Sequence, residues 1–261
     1  MKTKGVLLAM LAAVFLAPLP AAPAGAQPQA GDAEAILKAM SDYVSSQKTI
    51  ELTLDSDIEV ITPQLEKIQF TNSGEMLLSR PDKLRAHRVG GYADVTLYFD
   101  GKTVSVFGKH INGYAKFDAP GTVDQLIEAL RLGHGVALPG ADLVLSNAYD
   151  VLVAGVKEAK HIGRGVVDGV ECEHLAFRNF DTDWQLWVEV GEKPIPRKMV
   201  ITSKTLNSAP QYTLRVKDWK TGVQPEPDAF AFVPPAGAKE LSPDALIELD
   251  ELPQGAEEGG K

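Results

Sequence analysis

The sequence predicts an α+β chain built on one strongly curved antiparallel sheet of about eleven strands, with a lead helix before it and a helical excursion in its middle. Three observations predict this. Apolar spacing changes from a helical to a two-residue period at Ile50, short Gly-, Asn- and Asp-bearing turns then separate alternating segments, and the alternation breaks only once, between Thr122 and Val156.

The lead helix is predicted over 32–47, where Ala33, Ile36, Leu37, Met40, Tyr43 and Val44 fall on one stripe. From Ile50, the residues Ile50, Leu52, Leu54, Ile58 and Val60 share one face, and Glu51, Thr53, Asp55, Asp57 and Glu59 share the other. A strand of that length would exceed about 35 Å, too long for a compact domain unless the sheet twists and curls. Further strands are predicted near Lys67–Ser79, 83–89, 95–99, 103–107 and 111–117, joined by short local links as a meander.

Thr122 and Gln125 then have capping-box spacing before Val123, Leu126, Ile127 and Leu130, which predicts a helix. A second helical run is predicted in "ADLVLSNAYDVLVAGV", whose apolar residues, Leu143 among them, spread wider than one stripe and so need cover on several sides. Strands resume at 158–167, 170–177, 184–190, 197–202 and 211–219. Parallel pairs need long crossovers, and these links are short, so the sheet is predicted to be antiparallel throughout.

The ends read differently. Residues 1–26 carry a basic start, an apolar run and Ala24-Gly25-Ala26, the pattern of a secretory signal peptide cleaved after Ala26. Residues 27–240 are expected to form one domain, and 241–261 an acidic, disordered tail. Gln27 stands where an acylated cysteine would be needed, so no lipid anchor is expected. The product is expected to be exported to the periplasm, with no transmembrane segment. Cys172 is the only cysteine, so no disulfide closes within the chain. Losing Lys2 and Lys4 with the leader leaves 24 basic against 35 acidic residues, a net charge of −11. Such a surface repels phosphate backbones, and nucleic acid is not an expected partner.

Motifs for chemistry are sparse. The sequence holds no Gly-x-Ser-x-Gly elbow, His-Glu-x-x-His helix or P-loop, and the glycines at 163, 165 and 169 miss dinucleotide spacing. The five histidines are scattered, so neither a metal site nor a cofactor is expected. Cys172 and His174 share a strand face and are the one nucleophile and base pair an enzyme reading would use. Glu171 and Glu173 read as paired surface carboxylates.

Arg80 is more informative. Counting by twos from it gives Leu78, Met76, Gly74, Asn72 and Phe70, so if register survives Gly74 the arginine lies on the strand's apolar face. Either it snorkels or pairs with a carboxylate, or something bound there, or a lid backbone, supplies its partners. In "DWQLWVEVGEKPIPRKMVI", two strands fold back on a turn, with Trp184 on one face and Trp187 on the other. Tryptophans so placed serve as core cover or line a concavity.

Four motifs in order resemble the lipoprotein-carrier superfamily of LolA and LolB. They are "GEMLLSRP" with its Arg-Pro pair, "YFDGKTVSVF" with its Asp-Gly hairpin, "LWVEVGEKPIPRKM", and "DAFAFVPPAGA", which is similar to that superfamily's closing strand. Within it, the chain is most similar to a family of predicted periplasmic proteins of unknown function. The resemblance implies an incomplete barrel whose helices close its open side over an apolar cavity for acyl chains, with the arginine of the Arg-Pro pair, here Arg80, tying the lid shut. It implies a binding or carrier protein for a hydrophobic small molecule or lipid, and not an enzyme. The alternative is a sensor or scaffold that binds an envelope protein. The residues expected to bind ligand or close the lid are Arg80, Met76, Leu78, Phe70, Leu126, Leu130, Leu143 and Trp184.

Overall fold

The computed structural model describes residues 30–243, so the leader expected at 1–26 and nearly all of the tail expected at 241–261 lie outside the described residues. The first element is helix α1 (Ala30–Ser46), in which Ala33, Leu37, Met40 and Val44 form one fully buried stripe. A Lys38–Asp42 pair at 2.8 Å marks its wet face. The first meander runs β1 (Thr49–Ile61), β2 (Lys67–Ser79), β3 (Lys83–Gly90), β4 (Asp94–Phe99), β5 (Thr103–Gly108) and β6 (Gly113–Asp118). Helix α2 (Val123–His134), a 3₁₀ turn (Ala141–Val144) and helix α3 (Ala148–Val153) follow. The second meander is β7 (Glu158–Val167), β8 (Val170–Arg178), β9 (Thr182–Glu189), β10 (Pro196–Ser203) and β11 (Gln211–Thr221), and the short β12 (Lys239–Leu241) comes last.

All twelve described strands form one open sheet in the order β12-β6-β5-β4-β3-β2-β1-β11-β10-β9-β8-β7. The two meanders meet where β1 pairs with β2 on one side and β11 on the other. The β1–β2 register runs unbroken from Thr49–Ser79 to Ile61–Lys67, so Gly74 does not interrupt the alternation. Irregularities at Thr53/Leu54, His161/Gly163 and Pro196/Lys198 bend the sheet, because an extra residue on one strand raises local twist.

The outer face of β1 is wet, as its alternation predicts. Glu51 pairs with Lys220, Asp55 accepts from Ser73, and Asp57 accepts from Thr71. Inner-face residues Ile50, Leu78, Phe99 and Val104 are fully buried with α1 and α2 in one core. The Thr122 capping box is present, with its hydroxyl accepting from the Gln125 amide and the Gln125 side chain accepting from the Thr122 amide.

Three details differ from expectation. A twelfth strand, β12, pairs parallel with β6, because the chain returns across the sheet edge after a long loop rather than by a hairpin. The predicted second helical run is broken into the 3₁₀ turn and the six-residue α3. Asp124 accepts from both the Ser146 amide and hydroxyl, and this capture competes with continued helix. The "DAFAFVPPAGA" segment is not a strand, since Pro234 and Pro235 have no N–H to give a ladder. Its Phe232 instead packs on the Tyr98, Phe107 and Tyr114 rings, with centroids 5.4, 6.1 and 5.2 Å away.

Candidate functional site: a roofed apolar cavity

Between the inner face of the sheet and the segment after α2 lies a cavity of about 310 Å³. Leu52, Leu54, Met76, Leu97, Leu214 and Val216 form its floor, and Ile127, Leu130, Leu138, Leu143 and Val144 form its roof. The space persists because the roof chain bridges the curved sheet without a regular helix to fill it. Gly140 fits this bridge twice over. Its φ of 83° is left-handed, and a Cβ there would lie 3.0 Å from the Leu214 side chain.

Three side chains tie the roof down. Arg80 donates from Nη2 to the Val144 carbonyl at 2.6 Å and from Nε to the Gln47 carbonyl at 3.1 Å, joining the roof to the link between α1 and β1. Arg131, on α2, donates to Asp142 at 2.6 Å and to the Leu138 carbonyl at 2.9 Å. Asp124 holds Ser146. Burial pushes the Arg80 guanidinium below its ordinary pKa while Asp124 pulls it back up, and an arginine so placed keeps its charge.

Polar groups gather at one end of the cavity. Ser56, Arg88 and Tyr212 line it there, and Tyr212 is bonded to the buried Ser56; Glu75 and His87 border it with their backbone only, their side chains lying on the other face of the sheet. Burial raises the Tyr212 pKa, so its hydroxyl stays protonated. On that outer face His87 shares a 2.9 Å bond with Asp94, whose carboxyl Lys109 and His87 hold below its ordinary pKa. An apolar volume with a few polar groups at one end suits an amphiphile with a single chain. The volume is near the lower limit of about 300 Å³ for ligand pockets.

Of the residues expected from sequence, Met76, Leu130 and Leu143 line the cavity. Arg80 does not line it; it bonds the backbone of the roof that does. Four others lie elsewhere. Leu78 and Leu126 are buried core, and Trp184 stacks on Phe177 at 3.9 Å. Phe70 sits half-buried beyond the cavity, with its ring 5.3 Å from that of Tyr92. Sequence reasoning placed them by face, and face alone does not separate packed from unpacked positions along one strand. It missed Tyr212, Arg88 and the 136–141 stretch. The signal for Tyr212 and Arg88 was present, since both continue inner-face alternation into the polar end of their strands.

Cys172 is fully buried, and burial raises its thiol pKa. His174 stacks flat on Trp187 at 4.1 Å, bonds Gln185, and is held neutral by burial. A buried protonated thiol beside an occupied imidazole has no access to a substrate. Glu171 and Glu173 are both paired with Arg164. Among the described residues, no three His, Cys, Asp or Glu side chains converge as metal ligands. No described helix is long and apolar enough to cross a membrane.

Residues 33–242 match the family described as "Predicted periplasmic protein (DUF2092)". No curated protein sequence matches the chain. Among solved structures, an uncharacterised conserved protein from Thermus thermophilus superposes with a TM-score of 0.48 at 10% identity, covering 81% of this chain and 99% of that one. Lipoprotein LppX of Mycobacterium tuberculosis gives 0.47 at 14% identity, covering 76% and 100%. A chain of the Pseudomonas aeruginosa MucA/MucB complex gives 0.42 at 13% identity, covering 77% and 61%.

Proposed function

Because this chain belongs to the family of predicted periplasmic proteins that residues 33–242 match, we propose that it is a periplasmic binding or carrier protein for a hydrophobic ligand with one acyl-like chain. The observation that carries the reading is the roofed apolar cavity of about 310 Å³. Burying a methylene stabilises by about 0.8 kcal/mol, so about ten of them offset a typical association cost of about 4–15 kcal/mol only when the cavity is already formed. The tied roof supplies that preformation. Arg88 and the Tyr212 hydroxyl would meet the polar end of such a ligand.

A fluorescent fatty acid tests this. The parent protein is expected to bind it with an emission increase. Leu97→Trp, which fills the floor, is expected to weaken binding at least about tenfold, the equivalent of about two methylenes lost. Full binding by Leu97→Trp, or none by the parent, would count against the cavity as the site. Specific retrieval of one envelope protein with no lipid bound would favour the scaffold reading instead.

A further inference from the structure

Antiparallel pairing fixes which turns share an end of the sheet. The links β1–β2, β3–β4, β5–β6, β8–β9 and β10–β11 lie at one end, and β2–β3, β4–β5, β7–β8 and β9–β10 at the other. Each of the five turns at the first end carries a large apolar residue at the surface. These are Leu65, Tyr92, Ile111, Phe180 and Leu206, between 53 and 87% exposed. Among the described residues, none of the four turns at the opposite end does so. We propose that this end of the sheet docks on a lipid bilayer, with the five side chains entering the interfacial layer.

Four features point to a bilayer as the occupant. First, the apolar side chains stand on separate turns around the sheet's rim, not in one packed patch. A protein interface needs a contiguous core, whereas a fluid interface accepts dispersed insertions. Second, four of the five have a cation two positions away: Lys67, Lys109, Arg178 and Lys204. Each cation is paired with a carboxylate, Lys67 with Glu59 at 2.9 Å, Lys109 with Asp94 at 2.8 Å, and Lys204 and Arg178 with Asp183 at 2.8 and 3.7 Å. Glu59, Asp94 and Asp183 are thereby neutralised where they would meet phosphate.

Third, the polar part of the cavity, with Ser56, Arg88 and Tyr212, lies toward the same end. The opposite ends of the inner-face rows are sealed by the fully buried Ile50, Leu78, Phe99 and Val104, while the cavity-lining Arg88 is exposed and lies near the β3–β4 turn. Fourth, an apolar track continues from the cavity to the rim. Phe70 lies opposite Ile58, Ile68 opposite Val60, and the Phe70 ring meets that of Tyr92. An acyl chain could pass along it between bilayer and cavity without crossing water.

Flotation of the purified protein with phosphatidylethanolamine–phosphatidylglycerol vesicles tests the proposal. The parent is expected to float, and to keep floating in high salt because the flanking cations are already paired. Serine at Leu65, Tyr92, Ile111, Phe180 or Leu206 is expected to reduce partitioning about tenfold each. Val166→Ser, equally exposed but at the opposite end of the sheet, is expected to leave it unchanged. Thermal melts confirm that each variant is folded. A parent that stays in solution, tip variants that float like the parent, or a control variant that loses as much would overturn the proposal. Flotation does not read cavity occupancy, so failure here and failure of ligand uptake are separable.

Discussion

Leu65 holds a backbone φ of 64° while its side chain is mostly in water, two unfavourable choices at one residue. A non-glycine residue in the left-handed region costs about 1–2 kcal/mol, less for asparagine, whose side chain bonds locally. Leu65→Asn is therefore expected to raise stability by about 0.5–1 kcal/mol in urea unfolding while lowering vesicle binding. An unchanged or lowered midpoint would show that Leu65 is not strained. At this scale the sequence was only partly legible. Arg80 stood out because a cation interrupts an apolar face, and it does bond a carbonyl of the roof. Leu78, Leu126 and Trp184 look the same in sequence as Met76, Leu130 and Leu143, yet the first three are packed and the second three face space. The difference is set by where the roof chain crosses, and no side-chain pattern encodes that.

Elements show the same division. Strongly periodic segments were readable: α1, the capped α2 and the long β1–β2 pair form where alternation and capping place them. The stretch from 135 to 147 was not, because its apolar residues suit a helix while Asp124, Arg131 and Arg80 claim its polar groups from outside. β12 was missed because three residues paired on an edge leave no period to read. The roof's few ties make it the part most easily opened. Arg80→Leu leaves the Gln47 and Val144 carbonyls without this donor and is expected to cost about 1–3 kcal/mol of stability. Its larger expected effect is on exchange, with release of a bound fluorescent fatty acid at least about tenfold faster in stopped flow. Parent-like release rates with lowered stability would mean that Arg80 holds only the core.

For the whole molecule, the two ends of the sheet have different characters. Toward one, Ile50, Leu78, Phe99 and Val104 are fully buried; the other carries the polar part of the cavity and the exposed apolar turns. Curvature and an antiparallel meander were readable from strand length and short links, and an apolar interior followed from the face patterns. The asymmetry was not, since it depends on which turns share an end, a property of the pairing rather than of any segment. The account rests on a cavity that is occupied in the cell. Native mass spectrometry of the protein released from periplasm without detergent tests that most directly. A non-covalent adduct with the mass of one lipid or fatty acid, lost on Leu97→Trp substitution, is the result expected. A bare polypeptide mass, from protein that also takes up no fatty acid when offered it, would contradict the account.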